Sequence, residues 1–254
     1  MRLEPISVGG RTFSVETIIT PFKTMKGKVK GGTVIIEVPE SWDRDYADAS
    51  ALKMRGRIER ALSKNPDAFE RERMPEFTDG QVVNAMGESF TVRIERTDRI
   101  RNASARLDNG MIAIRIPEGI GQEKEKDTVS RLILRVLSKA LYYKFCARVE
   151  LINSSEFKTG INAIRLKGIT SRWGSCSLQN SLNFSSLLLL FPEEIIDSVI
   201  VHELAHTKVR RHSEKFWNIV YAAMPDYKAR RKWLNRYQSV PLEKRPISYS
   251  PLQG

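Results

Sequence analysis

The sequence predicts an α+β protein on three observations. Short stretches alternate apolar and polar residues around Gly-Gly and Asn-Gly pairs, the pattern of half-buried strands joined by tight turns. Elsewhere apolar residues recur at three and four positions, the period of a helix with one buried face. The three histidines of the chain, His202, His206 and His212, all fall within VHELAHTKVRRH, on one such helix and just past its end.

The first half reads as two similar pieces. GRTFSVETI at 10–18 lies over GESFTVRIE at 87–95, and VIIEVPESW at 34–42 over IAIRIPEGI at 112–120, at offsets of 77 and 78 residues. In each piece the apolar positions alternate: Phe13 and Val15, then Phe90, Val92 and Ile94, then Ile112, Ile114 and Ile116. Gly31-Gly32 and Asn109-Gly110 reach positive φ at little cost, so each piece is expected to be a β-hairpin. Each also ends at a proline, Pro39 or Pro117, and a helical pattern follows. It is weaker around Leu52, Ile58 and Leu62, and stronger along Leu132, Ile133, Val136, Leu137, Ala140, Leu141 and Phe145. The pattern suits a duplicated β-hairpin–helix unit, and also two units alike by shared physics. SKNPDAFERERMPE at 63–76 has two prolines, dense charge and no period, and serves as the linker. The domain reading is therefore an N-terminal unit over 1–75, a second domain over 76–237 and a poorly ordered tail over 238–254.

Composition narrows the setting. With 254 residues the chain can bury a core without disulfide staples, and Cys146 and Cys176 form no framework or clustered metal knuckle. A reducing, cytoplasmic environment is expected. No apolar block follows Arg2, and the run Leu187–Phe191 is too short to span a bilayer, so no membrane association is expected. The 42 Lys and Arg against 30 Asp and Glu leave a net charge of +12. That excess fits either a solvated basic surface or contact with a polyanion such as nucleic acid or a nucleotide. Nothing in the sequence sets an oligomeric state.

The helix carrying the histidines begins well. Pro192 suits a first turn, Glu193 and Glu194 face its positive dipole end, and Ile195, Ile196, Val199, Ile200 and Leu204 supply a buried face. His202 and His206, four apart, rise from one face and can converge on one ion. Glu203 is turned about 100° away, where a carboxylate takes a proton from water without itself ligating the metal. His212 can return to the same ion as a third ligand, which leaves the open fourth position of a catalytic zinc site. Beyond it, Ser213 is placed to cap a helix with apolar Phe216, Trp217 and Val220, and Asp226 starts another, with Trp233 and Leu234 as core.

These stretches resemble a known family. SRWGSCS at 171–177, LNFSSLLLLFPEEIIDSVIVHELAH, RRHSEKFW and PDYKARRKWL are similar to the YgjP-like metal-dependent hydrolases, relatives of the SprT-like and WLM metallopeptidases, over roughly 77–237. The resemblance implies a zincin-like metallopeptidase domain with a small antiparallel sheet and a helix over 126–147 beside the His202–His206 helix. It also implies zinc held by His202, His206 and His212, with Glu203 as general base. The chain departs from the family in carrying Arg211 before the third histidine, where Asn often eases a left-handed turn.

The expected chemistry is zinc-assisted cleavage of peptide bonds in a peptide or protein substrate. Arg172 or Tyr227 is the candidate for stabilising the oxyanion that develops. Gly174 permits close backbone approach. Trp173 either plugs the core or lines the cleft, and Cys176 is either an inert buried thiol or a reactive one. Two rivals stand. One is a metal-dependent nucleoside triphosphate pyrophosphohydrolase, against which the all-imidazole ligand set counts. The other is a DNA-associated SprT-like peptidase, motivated by Lys208, Arg210, Arg211 and Lys215 and by Lys228, Arg230, Arg231 and Lys232.

Overall fold

The computed structural model describes residues 3–30, 32–64, 75–168 and 172–237. Most of the 63–76 stretch and the whole 238–254 tail lie outside the described residues. The chain divides into two compact units, Met1–Glu72 and Arg73–Gly254. Both are mixed α and β, and no described helix is long and apolar enough to cross a membrane.

The first unit is a four-stranded sheet with one helix. Strands β1 (Ile6–Val8), β2 (Arg11–Thr20), β3 (Lys26–Lys30) and β4 (Thr33–Pro39) take the order β1-β2-β4-β3. Gly32, at φ +80°, turns β3 into β4 as a hairpin. The two stretches the sequence pairs as one hairpin, β2 and β4, instead run parallel. The strand between them, KGKVK, has Val29 as its only apolar side chain, too little for an alternation signal, yet it carries the chain across. Val34, Ile36 and Val38 point inward from β4 and meet Ile58 and Leu62 of α1 (Arg44–Lys64).

The second unit opens on the same plan. Strands β5 (Val82–Ala85), β6 (Glu88–Thr97), β7 (Ser104–Asp108) and β8 (Met111–Pro117) take the order β5-β6-β8-β7, with β6 and β8 parallel. The parallel pair starts at Ser14↔Thr33 in the first unit and at Thr91↔Met111 in the second, and ends at Thr20↔Pro39 and Thr97↔Pro117. Met86-Gly87 and Asn109-Gly110 hold consecutive positive φ angles, the geometry of tight hairpin turns.

The expected single helix is two. α2 (Gln122–Ala140) stops at Leu141, where φ is −97° and ψ 5°, and α3 (Tyr142–Ile152) resumes. The break leaves Ala140 exposed while Leu141 and Phe145 stay buried. α3 is the part that packs on the histidine helix. A three-stranded sheet follows, β9 (Ala163–Lys167), β10 (Gly174–Cys176) and β11 (Ser181–Ser185), in the order β10-β11-β9. Here too the expectation of an antiparallel sheet is corrected: β10 is antiparallel to β11, but β9 runs parallel to it. Three helices close the unit: α4 (Glu193–Lys208), α5 (Glu214–Ala223) and α6 (Tyr227–Tyr237).

Candidate metal centre

α4 is anchored on every side but one. Ile195, Ile196, Val199, Ile200 and Leu204 are buried, as their spacing predicts. The helix also buries Asp197, which takes both arms of the Arg148 guanidinium from α3, Nε at 2.7 Å. A buried carboxylate with a bidentate partner fixes the helix rotation at that turn. One turn later His202 and His206 share the remaining face.

His212 comes back to that face. The ring nitrogens of His202, His206 and His212 lie within 4.8 Å of one another, and the Nε2 atoms of His202 and His212 are 3.0 Å apart. Tetrahedral zinc with bonds of ~2.0–2.1 Å holds its nitrogens roughly 3.3 Å apart, so the rings are close to the spacing one ion imposes. The return loop needs no left-handed residue. Val209 is extended at φ −138°, the Ser213 amide donates to the Arg211 carbonyl at 2.7 Å, and Arg211 does not take a positive φ. The family's usual Asn is therefore dispensable here. Ser213 sits at the start of α5, although its side chain makes no cap.

On His206 and His202 the second ring nitrogen, Nδ1, is held. His206 Nδ1 lies 3.2 Å from the Val209 carbonyl, which fixes the tautomer that leaves Nε2 free to ligate. His202 Nδ1 lies 2.8 Å from the Tyr227 hydroxyl, which reaches over from α6. Beneath the rings Phe216 packs against all three imidazoles at 4.5 to 5.0 Å, and Trp217 stacks on His212 at 5.6 Å. Burial and the neighbouring imidazoles push His202 down to about 3, and burial also lowers His206. Both rings are thus neutral at pH 7 with lone pairs to give.

Glu203, next to His202 on α4, packs against Gly174 of β10. It is 5% exposed, its Oε2 atom is buried with no hydrogen-bond partner, and burial lifts its carboxyl from 4.5 to about 8, opposed by the charge of Arg172. Room for it comes from Gly174. A Cβ on that residue would stand 2.6 Å from Glu203 Cγ and Oε1, so any side chain at 174 collides with the carboxylate. Arg172 itself is exposed.

One contact set escapes a reading of the sequence. Arg210, in the loop between the second and third histidines, donates to the Ser177 and Leu178 carbonyls at 2.7 and 3.0 Å, to Asn180 Oδ1 at 2.6 Å and to Cys176 Sγ at 3.1 Å. It ties the His212 loop to the β10–β11 turn. In the sequence it is one cation in a basic run. Asn180, at φ 57°, presents that turn. Cys176 is half-buried, and burial raises its thiol despite Arg210, which counts against a reactive thiolate. Trp173 packs edge-on against Phe191 at 5.2 Å, and Trp233 is buried beside it.

Residues 23–237 match the YgjP-like metallopeptidase domain family. The match starts well before residue 77, where the resemblance legible in the sequence begins, and takes in most of the first unit. Among solved structures, the metallopeptidase zymogen abylysin of Pyrococcus abyssi aligns at 20% identity over 37% of this chain and 95% of its own, with a TM-score of 0.34. No curated protein matches the chain.

Proposed function

We propose, from the premise that this chain belongs to the YgjP-like metallopeptidase family, that it is a zinc-dependent peptidase whose ligands are His202, His206 and His212 and whose general base is Glu203. Family membership makes it a metal-dependent hydrolase. The observation that carries the finer reading is the convergence of three imidazoles within 4.8 Å beside a buried carboxylate with an unpartnered oxygen. Neutral imidazoles without a carboxylate ligand suit zinc over magnesium or calcium.

When bound, zinc supplies Lewis acidity, polarising a carbonyl and acidifying water at the site. The chain's own groups do the rest. Glu203 accepts the proton: its buried oxygen has no competing donor, and a cation nearby draws its raised carboxyl back toward the ionised form. Tyr227 holds the His202 ring through Nδ1 and so acts as a positioning residue. Arg172, exposed and close enough for its charge to reach Glu203, is the group left to meet the developing oxyanion.

A peptide suits the surroundings. β10 is an outer strand, and Trp173, Ser175 and Ser177 turn their backbone groups toward β11, which leaves those of Gly174 and Cys176 without a strand partner among the described residues. An extended chain can pair there. The first unit repeats the strand order of the opening sheet of the second and holds none of these groups, so we read it as a duplicated module without chemistry of its own. Two free thiols suit a reducing cytoplasm.

The test is metal analysis with Glu203→Gln assayed on casein-derived peptides and on nucleoside triphosphates. Retained zinc with peptide turnover reduced about 10²–10⁴-fold supports the assignment. Unchanged turnover removes Glu203 as the base, and wild-type turnover of nucleotides alone replaces the peptidase with a pyrophosphohydrolase.

A further inference from the structure

A second concave surface lies across the three-stranded sheet from β10, at its other outer strand. It has a volume of about 630 Å³ and lies between the α2–α3 junction and β9. That falls within the ~300–1,000 Å³ of ligand sites generally. Arg135 and Lys139, four apart on α2, line one wall, and Arg165 and Lys167, two apart on β9, line the other. These spacings put both members of each pair on one face of their element. Tyr142 and Tyr143 stand at the junction between them.

No carboxylate lines this groove, and none of its four cations joins an ion pair among the described residues. The same two helices pair other cations: Lys126 with Glu76, Arg131 with Asp127, Lys144 with Glu88 and Arg148 with Asp197. Four like charges gathered without counter-charge repel one another, and an anionic ligand relieves that repulsion. The floor is braced, because the Tyr142 hydroxyl donates to the Ile164 carbonyl at 2.9 Å and so pins α3 to β9. Tyr143 is 83% exposed and stands edge-on to Tyr142 at 5.6 Å, leaving a flat apolar ring beside the cations.

We propose that this groove binds single-stranded nucleic acid, with phosphates on Arg135, Lys139, Arg165 and Lys167 and a base stacked on Tyr143. The ring decides between polyanions: an acidic peptide has charge for the cations but no base to lay on the tyrosine, whereas every nucleotide has both. The site is separate from the metal centre and independent of its assignment. A nucleic-acid-bound protein substrate held here would be brought to the edge strand on the other side of the same sheet.

The test is fluorescence anisotropy of a short labelled oligothymidylate with the full chain, in EDTA so that metal plays no part. Binding is expected with a log–log salt slope of about −3, four contacts at ~0.7 each. Arg165→Gln with Lys167→Gln should halve that slope. Tyr143→Ala should weaken binding about 5- to 150-fold at fixed salt. All three positions are exposed, and unchanged melting curves establish that the variants fold. The proposal is overturned if these variants bind like wild type, if Lys228→Gln with Lys232→Gln on α6 abolishes binding instead, or if thymidine monophosphate or an acidic peptide competes as well as the oligonucleotide.

Discussion

Each unit contains a strand glycine that a helix side chain crowds, and the two differ in what they admit. In the first unit a Cβ on Gly27 would stand 2.7 Å from Ile58 Cδ1, the end of its side chain, and 3.0 Å from Cγ of the flexible Met54, both on α1. In the second, a Cβ on Gly174 would strike the Glu203 carboxylate of α4. The same device closes an apolar core in one place and sets a charge-bearing group in the dry in the other. Polar burial follows the same division: the first unit buries Thr20 and no charged residue among those described, while the second buries Asp197 and Glu203. The sheet plan is shared, whereas the histidine cluster and the buried Glu203 lie on elements without a counterpart in the first unit, among them α4 and the loop that follows it.

The sharpest way to break this contrast is to remove the metal-side supports. Arg210→Ala frees the His212 loop from the β10–β11 turn, and zinc affinity measured by chelator competition should fall about 10–100-fold. Arg210→Lys should rescue little, because a lysine cannot span two carbonyls and an amide at once. Tyr227→Phe deletes the hydroxyl at His202 Nδ1 and should cost affinity toward the lower end of that range.

The glycines give the direct comparison. Gly174→Ala should destabilise the protein by about 1–3 kcal/mol and reduce peptide turnover, since the group that must shift is Glu203, the proposed base. Gly27→Ala should stay within about 1 kcal/mol of neutral, as hydrophobe ends give way and the strand loses a glycine, with turnover unchanged. Equal losses of turnover would mean that the first unit takes part in the chemistry.

A separate effect is electrostatic. Without metal, Glu203 keeps its proton in the fold up to about pH 8, but in the unfolded chain only to about 4.5, so stability is lost as pH rises through that window. His202, held down to about 3, works in the opposite sense: its contribution stands above 6.5 and is lost as pH falls toward 3. Metal-free wild type should therefore lose several °C of melting temperature relative to Glu203→Gln between pH 5 and pH 8. Parallel curves would show that Glu203 is not desolvated.

What could be read from the residues alone was local. Alternation marked β2, β4, β6 and β8, Asn109-Gly110 marked a turn, and Pro192 with Glu193 and Glu194 marked the start of α4. The i, i+4 histidines of α4 and the short return to His212 lie within eleven positions, so helix period and loop reach were enough to bring them together. Such features rest on backbone geometry and near neighbours, which a short window contains. Folding in three dimensions decided the rest. It made β2 and β4 parallel through a strand with one apolar residue, broke the long helix at Leu141, aimed Tyr227 at His202 and sent Arg210 to a turn some thirty residues earlier. Above all it placed Glu203 against Gly174, because desolvation of a carboxylate depends on what the whole chain packs around it, and no spacing along the sequence encodes that.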